Sequence, residues 1–407
     1  MSIKFRLIIM NFFQYAIWGA WLISLGAYLG GGLEFSGRQI GSFFATMGIA
    51  SLFMPAIMGI IADRWMPAQK LLGICHLIAA VLMIAAAPQT AYLPLYSLIL
   101  CSVMFYMPTI SLSNSVAYNA LAKAGLDTVK AFPPIRVWGT VGFIVAMIAV
   151  DLLGFAHSSL QLYFSAVLSI LLGVYAVSLP DCPVAKKIKN QSWIDTMGLR
   201  AFALFKQKKM AIFFLFSMLL GVSLQITNAF GNDYLTNFFG QNPLYDSTFG
   251  VEHANILISI SQMSETLCIL LIPFFLRRFG IKNVMLISMF AWVLRFGLLG
   301  MGNPGSGVWM LILSMLVYGV AFDFFNISGS LYVNNETDPS IRSSAQGVFM
   351  IMTNGFGAFF GSYAAGEVVD RMGWPASWFI FAGYALVVGL LFAIVFKYKY
   401  VPQAASK

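Results

Sequence analysis

The sequence predicts an all-α integral membrane protein with twelve transmembrane helices. Of its 407 residues, 59% are hydrophobic and only 10% are charged, whereas soluble domains carry about 25% charged residues. The chain also contains a series of apolar segments of the length needed to cross a bilayer, which is about 20 residues. Its basic residues are largely confined to alternate connections between these segments. Together these observations exclude a soluble globular protein.

The apolar segments follow one another with mostly short polar connections. They are Leu7–Leu29, Ile40–Ala62, Leu71–Ala87, Leu93–Tyr118, Ile135–Leu153, Leu160–Leu179, Met210–Phe230, Ala254–Leu276, Val284–Met301, Val308–Leu331, Ser343–Val368 and Ser377–Phe396. The first is preceded by Lys4 and Arg6, as a signal peptide would be, but it is too long and lacks a convincing small-residue cleavage site. We therefore expect it to remain as the first helix.

The distribution of Lys and Arg predicts the orientation of the helices, because basic residues accumulate in cytoplasmic loops. Twenty of them lie on the side that holds both termini, and only Arg38 and Arg371 lie on the opposite side. Both termini are therefore expected in the cytoplasm. This topology also explains the net charge of +9, and no basic and aromatic pattern indicates nucleic-acid binding.

One long polar stretch divides the chain into two halves of six segments each. The predicted units are an N-terminal half at residues 1–180, a cytoplasmic linker at 181–209 and a C-terminal half at 210–407. A weak internal repeat supports two related halves, because Pro-x-Ile-Arg lies at the cytoplasmic entrance of both the fifth and the eleventh helix and ends at Arg136 and Arg342.

Glu265 is the most informative polar residue, because it lies midway along the segment Ala254–Leu276. A charged side chain in hydrocarbon costs about 2.5–3.5 kcal/mol or more. This cost favours a functional role in handling a proton, an ion or a substrate, and the alternative is a structural ion pair with an arginine of a neighbouring helix. Arg295 and Asp323 are the other ionisable residues well inside segments, and the sequence leaves open which carboxylate Arg295 pairs with.

The fifth segment carries polar and aromatic residues on one face. Arg136, Thr140 and Phe143 have the spacing i, i+4, i+7, which places them on the same side of a helix. This face offers a cation, a hydroxyl and an aromatic ring. The alternative is that Arg136 caps a helix interface and Phe143 packs.

Three segments of the second half carry similar sets. Gln225 and Asn228 are three residues apart in the seventh segment, and Gln262 lies one turn before Glu265. Side-chain amides both donate and accept hydrogen bonds, so they suit a neutral solute with mixed polar edges, although amides also join helices in membranes. Tyr318 and Phe322, four residues apart, offer stacking surfaces for a planar ring or simple packing.

Five strings of unusual composition extend this interpretation. They are Ala62-Asp63-Arg64-Trp65, Phe132-Pro-Pro-Ile-Arg136-Val-Trp-Gly-Thr140-Val-Gly-Phe143, Leu224-Gln225-Ile-Thr-Asn228, Gln262-x-x-Glu265 and Ala321-Phe322-Asp323-Phe-Phe-Asn326-Ile-Ser-Gly329. The strings resemble the nucleoside:proton symporter family of the major facilitator superfamily, and the resemblance covers nearly the whole chain. Within that family the sequence is similar to enterobacterial permeases of the general nucleoside and xanthosine types. The superfamily's loop signature is only partly present, because its later glycine and paired basic residues are missing after Arg64.

The resemblance implies the twelve-helix major facilitator fold, alternating access and nucleoside uptake driven by the proton gradient across the bacterial inner membrane. It implies that eight residues bind the substrate, namely Arg136, Thr140, Phe143, Gln225, Asn228, Gln262, Tyr318 and Phe322. Glu265 is the expected proton-coupling residue, with secondary roles for Asp323 and Arg295. We expect no cofactor other than the proton as coupling ion, no metal, and a monomer surrounded by membrane lipid.

Several alternatives remain open from the sequence. A xanthosine-selective permease, an uncoupled carrier and a sugar carrier of the same fold would use similar amides and aromatic rings. A membrane-embedded enzyme or receptor is a different class of protein. Against an enzyme, the sequence shows no nucleophile–base pair, metal-ligand cluster, nucleotide-binding loop or soluble domain.

Overall fold

The computed structural model describes residues 2–182, 199–338 and 342–398. Within these ranges the chain is almost entirely helical and contains no β-strand. Nine of the described helices are long and apolar enough to cross a membrane. The prediction of an all-α membrane protein is therefore confirmed. Most of the predicted linker, residues 183–198, lies outside the described part of the chain.

The helices are numbered in chain order. They are α1 (Ile3–Gly19), α2 (Gly37–Arg64), α3 (Ala68–Ala86), α4 (Tyr92–Lys123), α5 (Thr128–Leu152), α6 (Leu160–Ala176), α7 (Lys208–Asp233), α8 and α9 (together Ala254–Met301), α10 (Val308–Glu336), α11 (Arg342–Met350, Ile351–Gly357 and Ala358–Met372) and α12 (Ala376–Val395). After a break, α1 continues through Leu25–Ala27 and Tyr28–Gly32, and α7 continues directly through Tyr234–Phe238. Two short helices, Leu199–Lys206 and Phe249–Glu252, lie in connections.

The helix bounds are consistent with twelve passes even though fewer helices are long and unbroken. Helices α8 and α9 meet directly at Gly280, where the backbone is not helical and φ is 73°. Glycine adopts this conformation at little cost, so no loop is needed between the two helices. Helix α6 has only 17 residues, and α1 breaks after Gly19 before the chain resumes its helical course.

Helices α2 and α11 join the first six helices to the last six and pack closely at one end only. A Cβ atom built on Gly41 would lie 2.1 Å from the backbone oxygen of Ser362, so the two backbones approach as only small residues permit. Towards the other end of the same helices, Cβ atoms on Gly59 and Gly347 would meet no atom within 4 Å. The two helices therefore diverge along their length.

We call the end of the bundle opposite the described termini the distal end. Three contacts between the first six and the last six helices close it: α2 with α11, α5 with α8, and the continuation of α1 with that of α7. In the third contact, the side-chain amide of Asn237 donates to the backbone oxygen of Ala27 at 3.0 Å. Towards the opposite end, α10 and α11 line a cavity of about 330 Å³ that reaches from Asn326 to Met350. The bundle is thus closed at the distal end and open towards its termini.

Candidate functional site

Arg136, on α5, is held by an aromatic ring from α1. The central carbon of its guanidinium group lies 3.8 Å from the centre of the Tyr15 ring, which is within the range of a cation–π interaction. Gly139 leaves room for this contact, because a Cβ atom there would lie 2.5 Å from Tyr15 Cδ2 and 2.8 Å from Arg136 Nη1. The residue spacing on α5 did not predict that Tyr15 of α1 contacts Arg136.

Phe143, two turns after Arg136, forms part of an aromatic cluster. Its ring meets Trp18 edge-on, with 6.4 Å between ring centroids. Trp18 in turn lies 5.9 Å from the ring of Tyr106 on α4. Tyr15 and Trp18 are three residues apart on α1, so their common face was visible in the sequence, although its direction was not.

Buried hydrogen bonds hold the Tyr106 ring of this aromatic cluster in place. The hydroxyl of Tyr106 donates to the backbone oxygen of Gln14 at 2.6 Å, and the Gln14 amide donates to Thr109 at 2.7 Å. His76 is fully buried and lies 3.0 Å from Gln14 and 3.1 Å from Ser169 through its two ring nitrogens. These bonds join α1, α3, α4 and α6 and fix the position of the Tyr106 ring.

The second half contributes stacked rings and amides. Tyr318 and Phe322 on α10 stack with 5.8 Å between centroids and an angle of 13° between ring planes. Gln262, on α8, lies beside the Tyr318 hydroxyl. Gln225, on α7, is buried, and its side-chain oxygen has no hydrogen-bond partner among the described residues. A buried acceptor without a partner is costly, so Gln225 is well suited to accept a hydrogen bond from a bound solute.

Thr140 and Asn228 are half-buried. Neither side chain forms a hydrogen bond with another residue in the described part of the chain. Phe325, which follows Phe322 on the next turn, is buried against Phe213 and Phe349 and belongs to the core. Of these three aromatic residues on α10, Tyr318 and Phe322 therefore lie at the site and Phe325 lies in the core.

Glu265, on α8, lies among groups from both the first six and the last six helices. The positive charge that acts on it is that of Arg136 from the first half. Its other electrostatic neighbours include Tyr15 of α1, Tyr318 of α10 and Asp323 of the same helix as Tyr318. The structure therefore brings together Arg136 and Glu265, which are 129 residues apart in the chain.

Arg295 pairs with neither carboxylate. It is buried, and its Nη1 donates to the backbone oxygen of Ser314 at 2.7 Å and to the Ser261 hydroxyl at 3.4 Å. Its guanidinium carbon lies 4.7 Å from the centre of the Tyr318 ring. Asp323 is also buried, and one of its carboxyl oxygens has no hydrogen-bond partner among the described residues. Arg295 thus contacts the ring of Tyr318, a predicted site residue.

A narrow cavity beside Phe322 adds residues that the sequence patterns did not indicate. Its polar lining is formed by Asn326, Thr353 and Asn354, and the Trp292 ring also borders it. The string ending in Gly329 included Asn326, but helix spacing alone gave no reason to place it together with residues of α11. The cavity lies between the stacked rings and the open end of the bundle.

Comparisons with known proteins agree with this fold. The nucleoside H+ symporter family model matches residues 1–401. Nucleoside permease NupG of Escherichia coli (strain K12) is 51% identical over 408 residues, which cover 98% of this chain and 97% of the relative. Xanthosine permease of the same organism is 52% identical over 410 residues, which cover 99% of this chain and 98% of the relative.

Solved structures of transporters also match the fold of this chain. A crystal structure of nucleoside transporter NupG has a TM-score of 0.92 at 51% identity, and the match covers 98% of this chain and 100% of that structure. A crystal structure of a NupG mutant has a TM-score of 0.94 at 51% identity, and the match covers 97% of this chain and 100% of that structure. A crystal structure of a peptide transporter POT has a TM-score of 0.77 at 14% identity, over 96% of this chain and 93% of its own, which shows the fold alone. The predicted transporter fold is confirmed, and an enzyme is excluded because the similar proteins are permeases. The chain belongs to the nucleoside H+ symporter family.

Proposed function

We propose that the protein takes up nucleosides together with protons across the bacterial cytoplasmic membrane by alternating access. The observation that carries the proposal is the position of Glu265, which faces the charge of Arg136 from the other half of the molecule. A carboxyl group in that position changes the attraction between the two halves whenever it gains or loses a proton. Membrane-embedded carboxylates of this kind commonly relay protons in transporters.

The chemistry of the surrounding side chains favours a planar, neutral and polar substrate. Phe143 on one side and the stacked Tyr318 and Phe322 on the other offer flat surfaces to a nucleobase. The buried oxygen of Gln225 needs a donor, and Gln262 offers a second amide. We assign the ribose hydroxyls and the edge of the base to these amides, with Thr140 and Asn228 as further polar contacts.

Arg136 links proton binding to substrate binding in this proposal. When Glu265 is ionised, it attracts the guanidinium group across the space between the halves. When Glu265 is protonated, it carries no charge to attract Arg136, and the guanidinium group becomes available to an oxygen of the nucleoside. Proton and nucleoside therefore favour each other. The halves rock when both are bound or when neither is bound, and a carrier that holds only one of them does not reorient.

The orientation of the transport path follows from the charge distribution. We place the distal end outside the cytoplasm, because Arg38 and Arg371 are the only basic residues of the connections on that side. Both termini then lie in the cytoplasm, and the bundle described above faces inward. In this state the substrate leaves past Asn326 and the cavity between α10 and α11.

Uptake into proteoliposomes tests the proposal. The panel includes uridine, adenosine, inosine, xanthosine and a set of sugars, each with and without an imposed pH gradient. We expect accumulation of nucleosides only with the outside acidic, and no accumulation of sugars. Xanthosine is included because the xanthosine permease and NupG are about equally similar to this chain.

Glu265→Gln tests the proton role. The variant should lose accumulation driven by the pH gradient but retain exchange of labelled for unlabelled nucleoside, because its neutral amide resembles the protonated acid. Glu336→Gln, at the far end of α10, is the matched control and should behave as the native protein. If Glu265→Gln accumulates nucleoside normally, the proton role is wrong; if sugars accumulate instead of nucleosides, the substrate class is wrong.

A further inference from the structure

Beyond the residues proposed above to bind nucleoside, which we call the central site, α10 continues towards the open end of the bundle with polar side chains. Asn326 follows Phe322 by four residues and Ser330 follows Asn326 by four, so each side chain neighbours the one before it on the helix surface. Both are half-buried, and neither side chain forms a hydrogen bond with another residue in the described part of the chain. The stacked rings of α10 are therefore followed by unpaired polar groups.

Helix α11 supplies further polar groups opposite this face. The side-chain amide of Gln346 donates to the backbone oxygen of Ser330 at 2.7 Å, which holds Gln346 against α10. Thr353 and Asn354 lie two turns further along, in Ile351–Gly357, which is a π-helix. Turns of this kind are rare and occur frequently at functional sites. The side-chain oxygen of Asn354 accepts no hydrogen bond from the residues that the structure describes.

Two adjoining cavities lie between these helices, and Asn326 borders both. The narrow one reaches Phe322 of the central site and Asn354. The larger one, of about 330 Å³, extends to Ser330 and Gln346. Pockets that bind small molecules have volumes of about 300–1,000 Å³, so the larger cavity has room for one nucleoside. The central site thus leads to a second space of suitable size.

The lining of the larger cavity indicates which solute it would bind. Its polar groups are the amides of Asn326 and Gln346 and the hydroxyl of Ser330, and the described residues around it include no charged side chain. Amides and hydroxyls match the hydroxyls of a ribose and the polar edge of a base. A phosphate group, in contrast, is usually bound by Arg or Lys. The cavity therefore suits a nucleoside but not a nucleoside phosphate.

We propose that Asn326, Ser330 and Gln346 form a second nucleoside-binding site, the exit subsite, which receives the substrate from the central site before its release. The inference rests on the proposed function, because it takes a nucleoside as the solute and the open end as the cytoplasmic end. The described lining of the exit subsite comes from α10 and α11 alone, and it lacks the stacked rings of the central site. Binding there is therefore weaker, and release proceeds in two smaller steps.

Protection of an introduced thiol by uridine tests the exit subsite. Met350→Cys places the thiol in the lining of the larger cavity, at a position that is 45% exposed. Cys101→Ser removes the exposed native thiol, and the other native cysteines are buried. The rate at which a positively charged methanethiosulfonate reagent modifies this purified parent protein is measured at increasing concentrations of uridine. Uridine in the exit subsite covers the thiol and should slow its modification severalfold.

Two variants separate the exit subsite from the central site. Gln225→Leu together with Gln262→Leu removes two amides of the central site, and uridine should still protect the thiol at the same concentrations. Asn326→Leu removes one hydrogen-bonding group of the exit subsite, and protection should then need about two- to tenfold more uridine. Asn335→Leu is the matched control. Asn335 is exposed on the same helix and lines neither cavity, so its replacement should not change the protection.

The modification rate without uridine should be the same in the parent and all variants, because the cavity itself remains. Uridine 5′-monophosphate should not protect the thiol. The proposal is overturned if protection disappears with Gln225→Leu and Gln262→Leu, if Asn326→Leu is protected as well as the parent, if the monophosphate protects equally, or if the thiol does not react at all. Uptake is measured separately. A protein that accumulates nucleosides without protection of the thiol contradicts only the exit subsite, whereas one that accumulates only sugars contradicts the proposed function.

Discussion

Gly139→Ala provides a direct test of how Tyr15 and Arg136 form the site. The added Cβ atom would lie 2.5 Å from Tyr15 Cδ2 and 2.8 Å from Arg136 Nη1, whereas carbon atoms in contact are about 3.5–4.0 Å apart. The Tyr15 ring must therefore move by about 1 Å, away from its place 3.8 Å below the guanidinium group. The substitution acts on the site without removing any polar group.

The expected magnitude follows from the contact that is lost. A cation–π interaction is worth about 0.5–2 kcal/mol, which corresponds to a two- to thirtyfold rise in KM for nucleoside. Overpacking costs about 1–3 kcal/mol of stability, and the better helix propensity of alanine returns up to about 1 kcal/mol of it. We therefore expect a clear rise in KM together with a fall in melting temperature that is smaller than the fall for Gly142→Ala, described next. Both are measured on purified protein, KM by counterflow in proteoliposomes.

Gly142, on the same helix as Gly139, and Gly297, on α9, serve as controls. Gly142→Ala would place its Cβ atom 2.1 Å from the backbone oxygen of Phe12, and because a backbone cannot move alone, α1 and α5 must separate and stability should fall sharply. Gly297→Ala meets no atom within 4 Å and should leave both quantities unchanged. If Gly139→Ala has the KM of the native protein, the Tyr15–Arg136 contact does not shape the site and the reasoning is refuted.

Two further predictions concern the second half. Arg295→Met should raise the nucleoside KM about two- to thirtyfold, because the Tyr318 ring loses its contact with the guanidinium group. Accumulation driven by the pH gradient should remain intact. A loss of accumulation would show instead that Arg295 acts on Glu265. Asn232→Ala removes the 2.6 Å hydrogen bond from Asn232 to Asn255 between α7 and α8 and should lower the unfolding free energy by about 0.6–2 kcal/mol, measured by thermal unfolding in detergent. An unchanged melting temperature would indicate that water replaces the lost donor.

The membrane character, the order of the spans and the faces of single helices could be predicted from the sequence because they are local properties. Hydrocarbon thickness sets the length of an apolar segment, and the 3.6-residue repeat sets which side chains share a face. Tyr318 and Phe322 therefore stack as their spacing indicated. The sixth segment, predicted to end at Leu179, ends as a helix at Ala176, and the predicted boundary between the eighth and ninth segments lies at Gly280.

The partner of Glu265 could be decided only by the tertiary structure. The sequence offered Arg295, because it lies in the next segment, but its guanidinium group points to Ser314 and Tyr318. The cation that acts on Glu265 is Arg136, from the other half. Such a pairing depends on how helices far apart in the chain pack together, and no spacing along the chain records it. The sequence by itself therefore determined that the carboxylate of Glu265 lies within the membrane, where its charge is costly. Only the packing of the helices determined that Arg136 is the positive charge near it.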